Sequence, residues 1–168
     1  PSFGLMLTPE KGMMAQSLQD VRQAFGITGP INLCPMASKG CAAACLSRSG
    51  QSGMPQQQRA QAVRTAFLIA FPEAFALILG AEIRAAVKAK GSINLRLTTT
   101  SDIRWERVAP VAMALLADAG VMLYDYTAWQ PWQREVSAGY SLTYSAKEPT
   151  HTSDEYLGGL LGAGKNVA

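Results

Sequence analysis

The second half of the chain alternates short apolar strands with helices, and this alternation restricts the possible folds more than any other feature. Between Ile93 and Leu97 apolar residues alternate with polar ones, and threonines follow, which is typical of a strand. A helical pattern begins at Ser101, a good N-cap residue, and ends at Gly120. A second apolar strand is predicted directly after it, at 121–126.

The same alternation continues to the last residue. We predict a helix at 129–139, a strand at 141–145, a helix at 153–161 and a further strand from 166. Strands separated by helices pair in parallel through right-handed crossovers. The sequence therefore predicts an α/β fold of repeated βα units with a mainly parallel sheet, either open or a partial TIM-like barrel. We expect the sheet to continue beyond residue 168.

The first ninety residues are predicted to be mainly helical and to precede these βα units. Apolar spacing indicates a helix at 15–25. Pro55 and Pro72 fit the first turns of two more helices, because proline lacks an amide donor that a first turn leaves unpaired. A chain of 168 residues, 48% of them hydrophobic, is long enough for one core only. We predict one domain, with a helical, cysteine-bearing region at 1–90 and βα units at 91–168.

Charge and hydropathy restrict the function class. The net charge of +3 is not concentrated in any run of lysine or arginine, so nucleic acid is permitted as a partner but not required. The longest apolar stretches are interrupted at Pro72 and Glu73, well short of the roughly 20 residues that a membrane span needs. All three cysteines lie close together, unlike a secreted disulfide framework, and this favours a reducing compartment. We expect the cytoplasm of a cell.

The three cysteines are the most function-like feature of the sequence. Cys34, Cys41 and Cys45 form a C-x6-C-x3-C pattern in which the last two share one face of a short helix. Thiolates are strong ligands for zinc and for iron–sulfur clusters, and three ligands with one open position suit a catalytic metal. The leading interpretation is a metal or cluster site at these cysteines. Two alternatives stay open, namely three small buried thiols and a redox disulfide.

Hydroxyl and carboxyl groups follow the predicted strands, where parallel α/β folds collect their ligands. Asp102 and Asp125 are candidates for cation binding or proton transfer; the alternative, slightly favoured, is that Asp102 helps to cap the following helix and Asp125 accepts hydrogen bonds from loop amides. His151 is either a surface loop residue or a fourth ligand. The predicted catalytic residues are Asp102, Asp125, Thr127 and Ser145, and the predicted cofactor-binding residues are Thr100, Ser101, Tyr126 and Tyr144.

Several motifs together carry a family resemblance. They are Asn32-Leu33-Cys34-Pro35, Gly40-Cys41, Cys45, Arg64-Thr65, Arg96-Leu97, Thr100-Ser101-Asp102-Ile103, Trp105-Glu106, Tyr124-Asp125-Tyr126-Thr127 and Leu142-Thr143-Tyr144-Ser145. With these motifs the chain resembles phage and plasmid proteins grouped with the mycobacteriophage gene-eighty-eight product. The resemblance implies a setting in mobile genetic elements. It also implies a partial barrel similar to radical SAM enzymes, in which three cysteines after the first strand hold a [4Fe–4S] cluster. The cysteine spacing here differs from the C-x3-C-x2-C of those enzymes.

Three functional hypotheses follow. The leading one is an enzyme of nucleic-acid or nucleotide metabolism with an iron–sulfur or zinc site at the cysteines. The second is a non-catalytic module that binds DNA or a host protein, with a structural metal or none. In the third, the cysteines are core residues and the domain is a scaffold.

Overall fold

The computed structural model describes residues 1–9, 15, 18–148 and 152–168. It contains five strands in one all-parallel sheet, and their order in the sheet is their order in the sequence. The strands are β1 (Ser2–Gly4), β2 (Asn94–Arg96), β3 (Met122–Thr127), β4 (Tyr140–Tyr144) and β5 (Asn166–Val167). The described helices are α1 (Gln19–Ala24), α2 (Lys39–Ala43), α3 (Pro55–Ala70), α4 (Pro72–Lys90), α5 (Trp105–Val108), α6 (Pro110–Asp118) and α7 (Asp154–Gly162). The α/β class and the parallel sheet are confirmed.

The sheet begins at the start of the chain, which the sequence analysis missed. β1 pairs with β2, with Phe3 beside Leu95. The helical region is therefore the connection between the first two strands, and it does not precede the sheet as predicted. Ser2–Gly4 is too short to show an apolar alternation, and Gly4 disfavours a strand on propensity alone. Only pairing with β2 makes this segment a strand.

Two predicted helices are wrong in extent. The helix after β2 begins at Trp105 with Arg104 as its N-cap, so Ser101 is not the N-cap of this helix. It is interrupted at Ala109, because Pro110 lacks the amide donor and disfavours helical angles in the residue before it. In place of the helix predicted at 129–139 there is one 3₁₀ turn, Pro131–Gln133. The two long helices that were predicted from their prolines are confirmed as α3 and α4.

One face of the sheet is buried under helices. Burial alternates along β3 and β4, so that Leu123, Asp125 and Thr127 lie on the same side as Tyr140 and Leu142. The core on this side also contains residues of α3, α4 and α6. Among the helices in the described ranges, none combines the length and the apolar character that a bilayer span requires.

The other side of the sheet is largely exposed, and we call it the open face. It carries Asn94 and Arg96 of β2, Met122, Tyr124 and Tyr126 of β3, and Ser141 and Thr143 of β4. Met122 is 63% exposed and Tyr126 is 41% exposed. Sequential strand order is common to a barrel segment and to an open sheet, so the TIM-like barrel stays a prediction.

Asp125 joins three strands at the point where β2 leaves the sheet. Its side chain is 1% exposed. Its Oδ2 accepts hydrogen bonds from the Leu97 amide (3.1 Å) and the Tyr140 hydroxyl (2.6 Å). Its Oδ1 accepts from the Thr98 amide (2.7 Å) and the Thr98 hydroxyl (2.6 Å). Burial raises the pKa of the Asp125 carboxyl, and the hydrogen bonds from Thr98 and Tyr140 oppose that rise. Both oxygens are thus occupied in holding the strands together.

We expect Asp125→Asn to lower the free energy of unfolding by about 2 to 4 kcal/mol, because an amide offers one acceptor oxygen where the carboxylate offers two. At least one buried donor is then left unpaired. Chemical denaturation followed by circular dichroism measures the change. The control is Asp118→Asn at the exposed end of α6, which should change stability by less than about 0.5 kcal/mol. Equal effects of the two substitutions would contradict this role for Asp125.

Candidate functional site

A cavity of about 210 Å³ lies at the carboxyl ends of β2, β3 and β4. The cysteine-bearing segment forms one wall, and the segment after β2 forms another. The ends of β3 and β4 complete it. The lining residues used below are Cys34, Cys41, Cys45, Arg96, Thr100, Ser101, Asp102, Tyr126, Thr127, Ser145 and Lys147. The cavity therefore collects the three cysteines and most of the polar residues predicted from the sequence.

The three thiols share this cavity but do not converge on one point. The Cys34 Sγ lies 3.6 Å from the Thr100 carbonyl oxygen, and the Cys45 Sγ lies 3.2 Å from the Ser47 hydroxyl. Cys41 is exposed, and no disulfide joins any of the three. Within the described ranges no three histidine, cysteine or acidic side chains are gathered closely enough to hold a metal ion. The disulfide of the redox alternative is therefore not formed in this structure.

Short polar contacts hold the cysteine segment beside the sheet. The Ser38 hydroxyl caps α2 by accepting a hydrogen bond from the Cys41 amide at 3.2 Å. The Asp102 amide donates to the Leu33 carbonyl oxygen at 2.7 Å. The Gly40 amide donates to Glu148 Oε1 at 2.6 Å. A Cβ at position 40 would lie only 2.0 Å from that oxygen, so this approach requires glycine. The loop after β4 is therefore attached directly to the helix that carries Cys41.

Asp102 is the acidic side chain that lines the cavity. Its Oδ1 accepts from the Thr127 hydroxyl and its Oδ2 from the Ala128 amide, each at 2.8 Å. The Trp129 indole donates to the Asp102 carbonyl oxygen at 2.7 Å. Burial raises the pKa of the Asp102 carboxyl, and the hydrogen bonds from Ala128 and Thr127 oppose the rise. Asp102 therefore takes up a proton at a higher pH than an exposed aspartate does.

A buried ion pair that sequence reasoning missed supports Asp102. Arg134 donates to Glu106 through Nε at 2.7 Å and Nη2 at 3.2 Å, and its Nη1 donates to the Thr127 hydroxyl at 3.1 Å. The Arg134 side chain is 1% exposed and that of Glu106 is 10% exposed. Because the Thr127 hydroxyl receives this bond and donates its own proton to Asp102, its orientation is fixed. The sequence placed Arg134 inside a predicted helix and gave no signal for this pair.

The other predicted residues divide between the cavity and the framework. The Thr100 hydroxyl lines the cavity but donates to the Leu7 carbonyl oxygen at 2.6 Å. Ser101 is buried, and its hydroxyl has no hydrogen-bond partner in the described part of the chain. Tyr126 and Ser145 line the cavity directly. Tyr144 lies beside a smaller neighbouring cavity of about 80 Å³.

Asp125 was predicted together with Asp102, and the structure separates the two. Asp125 is not among the residues that line the cavity, and its carboxylate lies between the strands as described above. The sequence places both aspartates at strand ends, but only the pairing register and the burial alternation show that Asp125 points into the buried face. The position of His151 lies outside the described residues.

Two cations at the cavity were not predicted. Arg96 lines it from the end of β2, and Lys147 lines it from the loop after β4. The Arg96 guanidinium lies over the Tyr126 ring, with Cζ 4.7 Å from the ring centroid. A sequence signal existed for Arg96, because it alternates with Leu95 and Leu97 and so must face away from the core. Lys147 had no comparable signal.

We expect Gly40→Ala to reduce stability by about 1 kcal/mol. It breaks a hydrogen bond to a charged group, worth about 1.5 to 3 kcal/mol, and regains about 0.5 to 1 kcal/mol of helix propensity. Urea unfolding of Gly40→Ala, Glu148→Ala and the double variant measures the coupling between the two positions. Glu148→Ala should cost less in the Gly40→Ala background, since the contact is already lost.

The control for this cycle is Gly29→Ala, because a Cβ at position 29 meets no atom within 4 Å. Its effect should be within about 0.5 kcal/mol. Strictly additive effects of Gly40→Ala and Glu148→Ala would show that the two residues do not interact in solution.

Comparison with known proteins identifies the family. The family model described as Gene product 88 matches residues 7–168, which include the cavity and every cysteine. A search of curated proteins and a search of solved structures each found no significant match. The resemblance inferred from the motifs is thereby confirmed at the level of a phage gene-product family. This chain belongs to the Gene product 88 family.

Proposed function

We propose that this protein is an enzyme of nucleic-acid or nucleotide metabolism whose Cys34, Cys41 and Cys45 hold a [4Fe–4S] cluster. The observation that carries the proposal is that all three thiols line one cavity with Asp102 at the carboxyl ends of parallel strands. Ligands of parallel α/β folds bind at this edge of the sheet. The reaction class follows from the phage family and from no residue in particular.

The cysteine segment suits a metal-binding role because its helix lies at the surface. No residue of α2 is buried, so a shift of this helix toward a metal would cost the Gly40–Glu148 contact but would expose no core residue of the helix. Metal binding would replace the contact between the Cys45 thiol and the Ser47 hydroxyl, and Cys41 is already exposed. Three thiolates are the donors that an iron–sulfur cluster prefers, with zinc as the alternative metal. The donor set therefore fits a cluster, and ordering of the segment accompanies metal binding.

The remaining cavity residues supply proton transfer and positioning. When bound by three thiolates, a cluster offers an open coordination position or an electron to a substrate. Asp102 holds a proton more readily than an exposed aspartate does, because burial raises the pKa of its carboxyl. Thr127 keeps that carboxyl in place, and Arg134 keeps Thr127 in place. Ser145 also lines the cavity, and its amide donates to the Thr127 carbonyl oxygen at 2.8 Å.

The test is anaerobic purification followed by analysis of iron, sulfide and zinc and by a visible absorption spectrum. We expect iron and sulfide with broad absorption at roughly 400 nm, as in iron–sulfur proteins generally. Each of Cys34→Ser, Cys41→Ser and Cys45→Ser should lose the absorption and also lower the melting temperature. The two losses belong together because metal-binding free energy contributes to folding, about 3 kcal/mol when the metal is at a hundredfold excess over its Kd.

Asp102→Asn is the matched control, since it changes a lining residue of the same cavity without removing a thiol. It should keep the iron and the absorption. Cysteine variants that retain full metal content would contradict the proposal, as would wild-type protein that binds no metal after reconstitution with iron and sulfide. Zinc bound by four protein ligands would instead favour the non-catalytic DNA- or host-protein-binding module.

A further inference from the structure

The open face is unusual for a parallel sheet, because such sheets are almost always covered on both sides. Here helices cover one side, while Met122 and Tyr126 of β3 are exposed on the other. We infer that the open face binds a nucleoside phosphate, with Tyr124, Tyr126 and Arg96 recognising the base and Arg96 with Lys147 recognising the phosphate. This inference names the substrate of the proposed function, and it rests on that function only in placing the ligand at the same cavity.

Planar groups suited to a nucleobase lie side by side on this face. Tyr124 and Tyr126 are two residues apart on β3 and so point to the same side. Extending the register of β2 and β3 by one position brings Arg96 next to Tyr124. The Arg96 guanidinium is already stacked on Tyr126 at 4.7 Å. A guanidinium stacked on a tyrosine presents a flat cationic surface, and bases stack on both kinds of group.

The charges on this face favour an anion. The strand residues that face this way are arginine, asparagine, methionine, tyrosine, serine and threonine, and none is acidic. Arg96 pairs with the acid Asp125, with 3.9 Å between the Asp125 Oδ1 and the Arg96 Nε. That carboxylate is buried and already accepts four hydrogen bonds. Because the Asp125 carboxylate is already engaged, the remaining Arg96 donors are available to a ligand.

Lys147 adds a second positive charge where the open face meets the cavity. Both Lys147 and Arg96 line the cavity, and Tyr126 lies between the open face and that opening. A phosphate placed here meets two cations and the hydroxyl of Ser145. The base then extends over the tyrosines, beside the exposed hydroxyl of Ser141. An apolar partner such as a second sheet matches this surface less well, because most of its side chains are polar.

Isothermal titration of the purified protein with adenosine 5′-monophosphate tests the inference, with adenosine and inorganic phosphate as partial ligands. We expect the monophosphate to bind about tenfold or more tightly than either part, since stacking and charge act together. Arg96→Met and Tyr126→Leu should each weaken binding about tenfold or more.

Arg104→Met is the matched control, because Arg104 also lies over an aromatic ring, with Cζ 4.3 Å from the Trp129 centroid, but does not line the cavity. It should leave binding unchanged. Lys147→Met provides a second charge removal that does not disturb the contact between Arg96 and Asp125, and it should weaken the monophosphate but not adenosine.

Other occupants of the open face give different results. Binding of a ten-nucleotide oligothymidylate without binding of the monophosphate would overturn the inference in favour of a single strand. A dimer that Met122→Asp converts to monomers would assign the face to a second copy of the chain. Monophosphate binding that Arg96→Met, Tyr126→Leu and Lys147→Met leave unchanged would place the ligand elsewhere.

The titration is repeated with the Cys41→Ser variant, so that failure of the nucleotide-binding inference can be distinguished from failure of the proposed cluster. Nucleotide binding by Cys41→Ser sustains this inference, because it shows that the nucleotide site does not depend on the metal. Wild-type protein that binds the nucleotide but takes up no metal on reconstitution sustains this inference and overturns the proposed cluster. Metal in the cavity without nucleotide binding overturns this inference and leaves the cluster in place.

Discussion

The position of the cavity depends on the buried carboxylate of Asp125. β2 ends at Arg96, and beyond it the amides of Leu97 and Thr98 turn to the Asp125 carboxylate for hydrogen bonds. A side chain thus replaces the main-chain acceptors that a continued ladder would offer, and the strands can separate without leaving buried donors unpaired. Burial of the Tyr140 hydroxyl and the charge of Asp125 both raise the pKa of Tyr140, so the tyrosine stays protonated and completes the set of donors. The space that this separation opens becomes the cavity.

The sequence predicted the repeating part of the fold better than its exceptions. Apolar alternation identified β2 to β4 approximately, and Pro55 and Pro72 identified α3 and α4, because these signals act within a few residues. β1 depends on pairing with a strand some ninety positions later, and no local signal in Ser2–Gly4 anticipates that pairing. Pro110 indicates the break between α5 and α6, although one continuous helix was predicted there. For the site, spacing brought the cysteines and Asp102 together correctly in one region. It did not distinguish Asp102 from Asp125, since that distinction depends on which face of β3 each group meets.

The cavity combines a largely buried wall with an exposed one. On the buried side, a continuous set of hydrogen bonds runs from Glu106 through Arg134 and Thr127 to Asp102, and Arg134 and Thr127 are buried. Burial alone would lower the pKa of Arg134, but the hydrogen bonds and the charge of Glu106 raise it, so Arg134 keeps its positive charge. Buried pairs of this kind stabilise little in total, but removal of one partner leaves an uncompensated charge. Their main effect here is to fix the direction in which Asp102 faces the cavity.

The exposed wall carries the thiols, and this division suits the proposed function. Thiols that gather around a metal would have to move, whereas a carboxyl that exchanges a proton would have to stay within hydrogen-bond reach of its substrate. α2 has no buried residue, and it is attached through the buried Ser38 cap and the exposed Gly40–Glu148 contact. Asp102, in contrast, belongs to the segment that packs against the core through Ile103 and Trp105. The open face begins at the same opening, so a ligand held by Arg96 and Tyr126 would lie between the exposed wall that carries the thiols and the buried wall that carries Asp102.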